Sequence, residues 1–150
     1  WSSDVCSSDL HGDLGRETLD RVFAQVLQAE AAAVRLQFVS GTHAIASALF
    51  GVLRPGDRLL ALSGRPYDTL EEVIGLRGSG QGSLAEFGIA YDELPLTADG
   101  RVDLERIEEA LSVPTRMVLI QRSCGYSWRP SLSVAEIGSL VERVKAIQPD

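Results

Sequence analysis

From Ala44 to Leu53 the apolar positions follow a helical period, with Ile45, Leu49 and Val52 on one stripe and Ala44 and Ala48 beside it. Just before it, Val34, Leu36, Phe38 and Val39 make an apolar run as short as a buried strand. The pattern predicts a strand over 34–39 that enters a helix through Ser40-Gly41-Thr42. Upstream, Leu19, Val22, Phe23, Val26 and Leu27 recur at helical spacing to about Glu30, with Thr18 as the candidate cap and Arg21 and Gln25 facing water.

Downstream, Pro55 and Gly56 stop the second helix, and 58–62 reads as a strand. A third helix covers 70–75, capped by Asp68 or Thr69. Gly78, Gly80 and Gly82 mark a mobile loop, and 83–87 reads as a short helix. Residues 89–96 form a strand near a sheet edge, because Pro95 cannot donate to a ladder. Asp99-Gly100 is a turn, and Asp103 caps a helix to Leu111 with Leu104, Ile107 and Leu111 inward. Residues 115–121 make a fourth strand, followed by a polar and aromatic loop over 122–130. An amphipathic helix over 133–147 turns Val134, Ile137, Leu140, Val141 and Val144 inward.

Strands alternating with helices predict an α/β fold, a three-layer αβα arrangement around a mainly parallel sheet. Such sheets bind ligands beyond the carboxyl ends of their strands. Residues 40–43, 63–68 and 121–126 fall there and are expected to converge on one site. At the first, Ser40 is a good N-cap, Gly41 lets a ligand approach the backbone, and Thr42 adds a hydroxyl donor. The unpaired N–H groups and positive dipole end of the helix suit phosphate. The same residues also serve as an ordinary capped helix start, for which Ser40 alone suffices.

The 150 residues are enough for one domain with a real core. A net charge of −7 argues against a nucleic-acid surface. No apolar run is long enough to span a membrane, and no secretory signal is visible, so the cytoplasm is the expected compartment. Cys6 and Cys124 lack local spacing partners, and His11 and His43 are too scattered for a metal cluster. Lys145 is the only lysine, so any lysine chemistry uses it or lies outside this chain. In residues 1–10, Ser-Ser-Asp occurs twice, at 2–4 and 7–9, and the stretch reads as a non-native, adapter-like extension.

Four runs carry a family resemblance. Ser40-Gly41-Thr42-His43-Ala44, Leu53-Arg54-Pro55-Gly56-Asp57 and Pro66-Tyr67-Asp68-Thr69-Leu70-Glu71-Glu72 are joined by Gln121-Arg122-Ser123, Gly125-Tyr126 and Arg129-Pro130-Ser131. From Gly12 to Asp150 the chain resembles the methionine gamma-lyase family, also called aluminium-resistance or cystathionine beta-lyase-like proteins. The resemblance implies a partial large domain of the fold type I enzymes that use pyridoxal 5′-phosphate. It implies that Ser40, Gly41 and Thr42 hold the cofactor phosphate and that Tyr67 stacks on the pyridine ring. His43 and Ser123 join the cofactor-binding set, and Arg16 reaches across a dimer interface toward the phosphate. Cys124 stands where relatives commonly carry a basic residue, and reads as a loop thiol without a role.

The family's Schiff-base lysine and pyridinium partner are expected beyond Asp150, while Lys145 reads as a surface residue on a helix. The expectation is an inactive N-terminal part, residues 11–150, of a carbon–sulfur lyase that removes an α-proton and eliminates a sulfur leaving group. Its partners would be a small amino-acid substrate and further copies of the chain in a homo-oligomer, with no nucleic acid and no membrane. Two other readings stay open. One is a Rossmann-type NADP-binding domain, with Arg65 on the 2′-phosphate, although the full glycine fingerprint is absent. The other is a non-enzymatic α/β interaction domain.

Overall fold

The computed structural model describes residues 14–125 and 127–149. The chain divides into two compact units, Trp1–Ser40 and Gly41–Asp150. Residues 1–10, with Cys6, and the loop residue Tyr126 lie outside the described residues.

In the first unit, α1 spans Leu14–Leu27 and buries none of its residues. It begins before Thr18, which is therefore not its cap. The Thr18 hydroxyl instead donates back to the Leu14 carbonyl at 2.6 Å, a bond open to a threonine inside a helix. Asp20 accepts two bonds from the Arg35 guanidinium, at 2.7 and 2.9 Å, and one from the Val34 N–H at 2.7 Å. The Arg35 bond, then the Val34 bond, hold the Asp20 carboxyl below the usual carboxylate range.

The strand expected over 34–39 does not form. Val34 has given its N–H to Asp20, and Phe38 donates to the Arg35 carbonyl, which closes a turn around Leu36 and Gln37. Those donors are lost to any ladder, and Leu36 stands 100% exposed.

The second unit is built on a three-stranded parallel sheet in the order β2-β1-β3. The strands are β1 (Arg58–Ala61), β2 (Ala90–Glu93) and β3 (Met117–Leu119). Leu59 faces Tyr91 on one side and Met117 on the other. Both faces of β1 are covered, so it reads as an unbroken apolar run. Leu59 belongs to a cluster with Leu49, Leu53, Leu70, Ile74, Leu84 and Ile89. Leu60 and Leu62 belong to a second cluster with Leu94, Ile107, Leu111, Leu132 and Leu140.

The first cluster is closed by α2 (Gly41–Val52) and α3 (Asp68–Ile74). The second is closed by α4 (Ile107–Ala110) and α5 (Val134–Ile147). The three-layer αβα expectation therefore holds, with three strands among the described residues rather than the four expected.

Several local expectations change. Tyr67, not Asp68 or Thr69, is the N-cap of α3. That helix ends at Gly75, whose φ of +99° is left-handed and whose added Cβ would lie 2.6 Å from Ser83 Oγ. Residues 83–87 form turns instead of a helix, because Leu84 and Ala85 donate to the last carbonyls of α3, those of Val73 and Ile74. Asp103 caps a 3-10 turn, Leu104–Arg106, that leads into α4 and leaves Leu104 exposed while Ile107 and Leu111 are buried. On α2 the stripe closes on Leu49 and on Leu53 just past the helix, and Val52 is exposed.

In α5 the inward stripe is Ile137, Leu140, Val144 and Ile147, while Val134 and Val141 face out. Its start is fixed by a capping box. Ser133 Oγ accepts the Glu136 N–H at 3.2 Å, and Glu136 accepts the Ser133 N–H at 2.7 Å. Leu132, just before it, donates to Arg122 past the end of β3, and Gln148, just after it, accepts the Thr115 N–H ahead of β3. Thus α5 runs from the carboxyl edge of the sheet back to the amino edge. No described helix is long and apolar enough to cross a membrane.

Candidate functional site

The carboxyl ends of β1 and β3 open onto the loops that carry the candidate chemistry. After β1, Leu62 donates to Leu119 at 3.0 Å, and the buried Ser63 hydroxyl then accepts the Gln121 N–H at 2.8 Å. Beyond Ser63, the segment leads to Tyr67, which packs on the cluster closed by α2 and α3. Arg65 leaves this segment toward Glu71 of α3, at 2.5 Å, and that bond holds its guanidinium more firmly protonated. Next to it, the Tyr91 hydroxyl donates to Glu93 at 2.9 Å, and burial pushes its pKa up.

The start of α2 meets the same place. Thr42 Oγ1 lies 3.2 Å from the Tyr67 hydroxyl and 3.0 Å from Thr69 Oγ1. The structure thus brings together Thr42 and Tyr67, two of the residues singled out in the sequence, and adds Thr69. Gly41 is the first residue of α2, and a Cβ built on it meets nothing within 4 Å. Its φ lies outside the left-handed region. Neither the backbone conformation nor packing among the described residues calls for glycine there, and among them open space lies over that peptide.

The third loop contributes Gln121. Its main-chain carbonyl accepts from Arg129 at 2.9 Å, and its Nε2 donates to the Ser123 carbonyl at 2.8 Å. Its Oε1 is buried and has no donor among the described residues. A buried acceptor left unpaired costs about 1–3 kcal/mol, so this atom has room for a donor that the described residues do not supply. Ser63 and Gln121 fall in the 63–68 and 121–126 segments expected at the site but were not singled out there, and Thr69 was considered only as a cap. The polar loop after β3 was the available signal for Gln121.

The remaining candidates are placed separately. Ser40 is exposed and immediately precedes α2. His43 is exposed on the first turn of α2, where its carbonyl accepts from Ser47 at 2.8 Å. Ser123 is exposed, and among the described residues no hydrogen bond joins it to Thr42 or Tyr67. Arg16 lies on α1 in the first unit, where its charge helps to depress Asp20. Cys124 is a free, half-buried thiol. Among the described residues no group of His, Cys, Asp or Glu is placed to hold a metal ion.

Lys145 is exposed near the end of α5. It sits at the amino edge, on the face opposite the cluster that holds Tyr67. A cavity of about 420 Å³ lies on that same far face, between the 100–104 segment and α5. Its carboxylate, Glu136, is already taken by Ser133 and Arg101.

Comparison with known proteins places this geometry. The uncharacterised protein YnbB of Bacillus subtilis is 49% identical over 138 residues, 91% of this chain and 33% of its own length. A Listeria monocytogenes structure, described as a candidate cystathionine beta-lyase involved in aluminium resistance, superposes with a TM-score of 0.87. It is 52% identical and covers 91% of this chain and 34% of its own. A Clostridium novyi structure, described as a carbon–sulfur lyase involved in aluminium resistance, gives a TM-score of 0.84. It is 48% identical, over 93% of this chain and 33% of its own. The chain spans about a third of the length of these relatives. The family model for methionine gamma-lyase matches residues 5–150, and the chain belongs to the methionine gamma-lyase family.

Proposed function

We propose that this chain is the phosphate- and ring-binding part of a carbon–sulfur lyase that uses pyridoxal 5′-phosphate and acts on sulfur-containing amino acids. The observation that carries the reading is the contact of Thr42 with Tyr67, which joins a helix start to an aromatic side chain at the carboxyl edge of the sheet. Two further features fit a bound group: the open space over Gly41 and the buried Gln121 Oε1, which has no donor among the described residues.

In this reading the N–H groups that open α2, at Gly41 and Thr42, bind the phosphate, where the helix dipole favours an anion. The hydroxyls of Thr42 and Ser40 add donors, and the Tyr67 ring offers a flat face to the pyridine. His43, Ser123 and Arg16 keep their proposed places around the cofactor on the family resemblance alone. When bound, the cofactor supplies an electron sink for the charge left at the α-carbon of the amino acid. The side chain that moves the α-proton is not Lys145, which stands at the other edge of the sheet. A homo-oligomer in the cytoplasm is part of the same proposal.

Titrating the chain with pyridoxal 5′-phosphate, followed by absorbance, tests the reading. The wild-type chain is expected to bind. In Gly41→Val the new side chain fills the open space over the helix start, so affinity falls about tenfold or more while the melting temperature stays unchanged. Equal affinity of the two proteins overturns the site.

A further inference from the structure

The hydroxyls of Thr69, Thr42 and Tyr67 stand in a row, with Thr42 in the middle at 3.0 and 3.2 Å from its neighbours. Each hydroxyl owns one proton and accepts up to two bonds. Two links use two of the three protons, so one hydroxyl always keeps a free donor. The free donor is at Thr69 or Tyr67 when the bonds run in one direction along the row. It is at Thr42 when both outer hydroxyls donate inward.

Only the inward arrangement gives an anion at the start of α2 the proton of Thr42, the middle residue and the one that belongs to that helix. We propose that Thr69 is a positioning residue for a phosphate ester: its hydroxyl, with that of Tyr67, donates into Thr42 and aims the Thr42 O–H at the anion. The inference rests on the phosphate reading of this site. Thr69 is exposed, and its hydroxyl is bonded to Thr42 alone among the described residues, so burial gives no separate reason for the contact.

The arrangement has a consequence for Tyr67. With its proton committed to Thr42, its oxygen presents only lone pairs to anything else while the anion is held. Tyr67 then offers its ring and its oxygen lone pairs.

Calorimetric titration of the 150-residue chain with pyridoxal 5′-phosphate and with inorganic phosphate tests the proposal. Thr69→Val keeps the shape and removes the hydroxyl, and is expected to weaken both ligands about fivefold. Thr69→Ser restores wild-type affinity. Thr42→Val with Thr69→Val binds no more weakly than Thr42→Val alone, because the outer hydroxyl works through the middle one. Wild-type binding by Thr69→Val, additive losses in the double variant, or failure of Thr69→Ser to rescue overturns the relay and leaves the phosphate site standing. A wild-type chain that binds neither ligand overturns the phosphate reading and the relay with it.

Discussion

The hydroxyl of the buried Ser63 accepts the Gln121 N–H at 2.8 Å, one step past the last bond of the β1–β3 ladder. A side chain thus extends the pairing of two parallel strands into the loops that follow them. The bond fixes the Gln121 main chain at the carboxyl edge, while the Gln121 side chain keeps a carbonyl oxygen with no donor among the described residues.

Gln121→Met should separate binding from stability. The substitution relieves a buried acceptor that has no donor among the described residues and gives up the Nε2 bond to Ser123, so urea unfolding is expected to change by less than about 1 kcal/mol. Affinity for pyridoxal 5′-phosphate is expected to fall. A clear loss of stability with unchanged affinity would show that the amide serves the fold and not a ligand.

Arg58 is expected to be a far stronger determinant of stability than its ion-pair partner. Its guanidinium bonds Asp92 at 2.6 Å, the Ala110 carbonyl at 3.0 Å and Thr115 Oγ1 at 2.6 Å, and its side chain is 11% exposed against 59% for Asp92. Arg58→Met strands the carbonyl that ends α4 and should cost about 2–3 kcal/mol in urea. Asp92→Asn should cost less than about 1 kcal/mol. Similar losses in the two variants would contradict this division.

Acid should loosen the start of α5. The Ser133 N–H, then the Ser133 hydroxyl, hold the Glu136 carboxyl below its ordinary pKa of 4.5. The unfolded chain therefore takes up this proton first as pH falls. The contribution of Glu136 is fully present above about 4.5 and is lost as pH drops through its lower folded value. Wild type should be more stable than Glu136→Ala at neutral pH and should lose that advantage in acid. A stability gap that stays constant down to low pH would exclude the charged capping box as its source.

The sheet and its two faces were legible because 58–62 is short, apolar and bounded by turn residues, and because Ile137, Leu140 and Val144 keep a clean helical period. The run over 34–39 has the same look, yet periodicity says nothing about whether a neighbouring strand exists or where the N–H groups go. Asp20 and Arg35 settle that from elsewhere. Ser40-Gly41-Thr42 and Tyr67 stood out as motifs, and Thr42 does meet Tyr67. Thr69, Ser63 and Arg58 did not stand out as site or core residues. Their bonds reach partners 27 to 58 positions away, and only the folded chain brings those atoms together.

The reversal of direction in α5 makes the chain an oriented object for surface chemistry. Its one side-chain amine, on Lys145, faces solvent at the edge of the sheet away from Tyr67. Coupling through that amine to a bead or sensor chip would turn the Thr42–Tyr67 edge outward, toward whatever flows past.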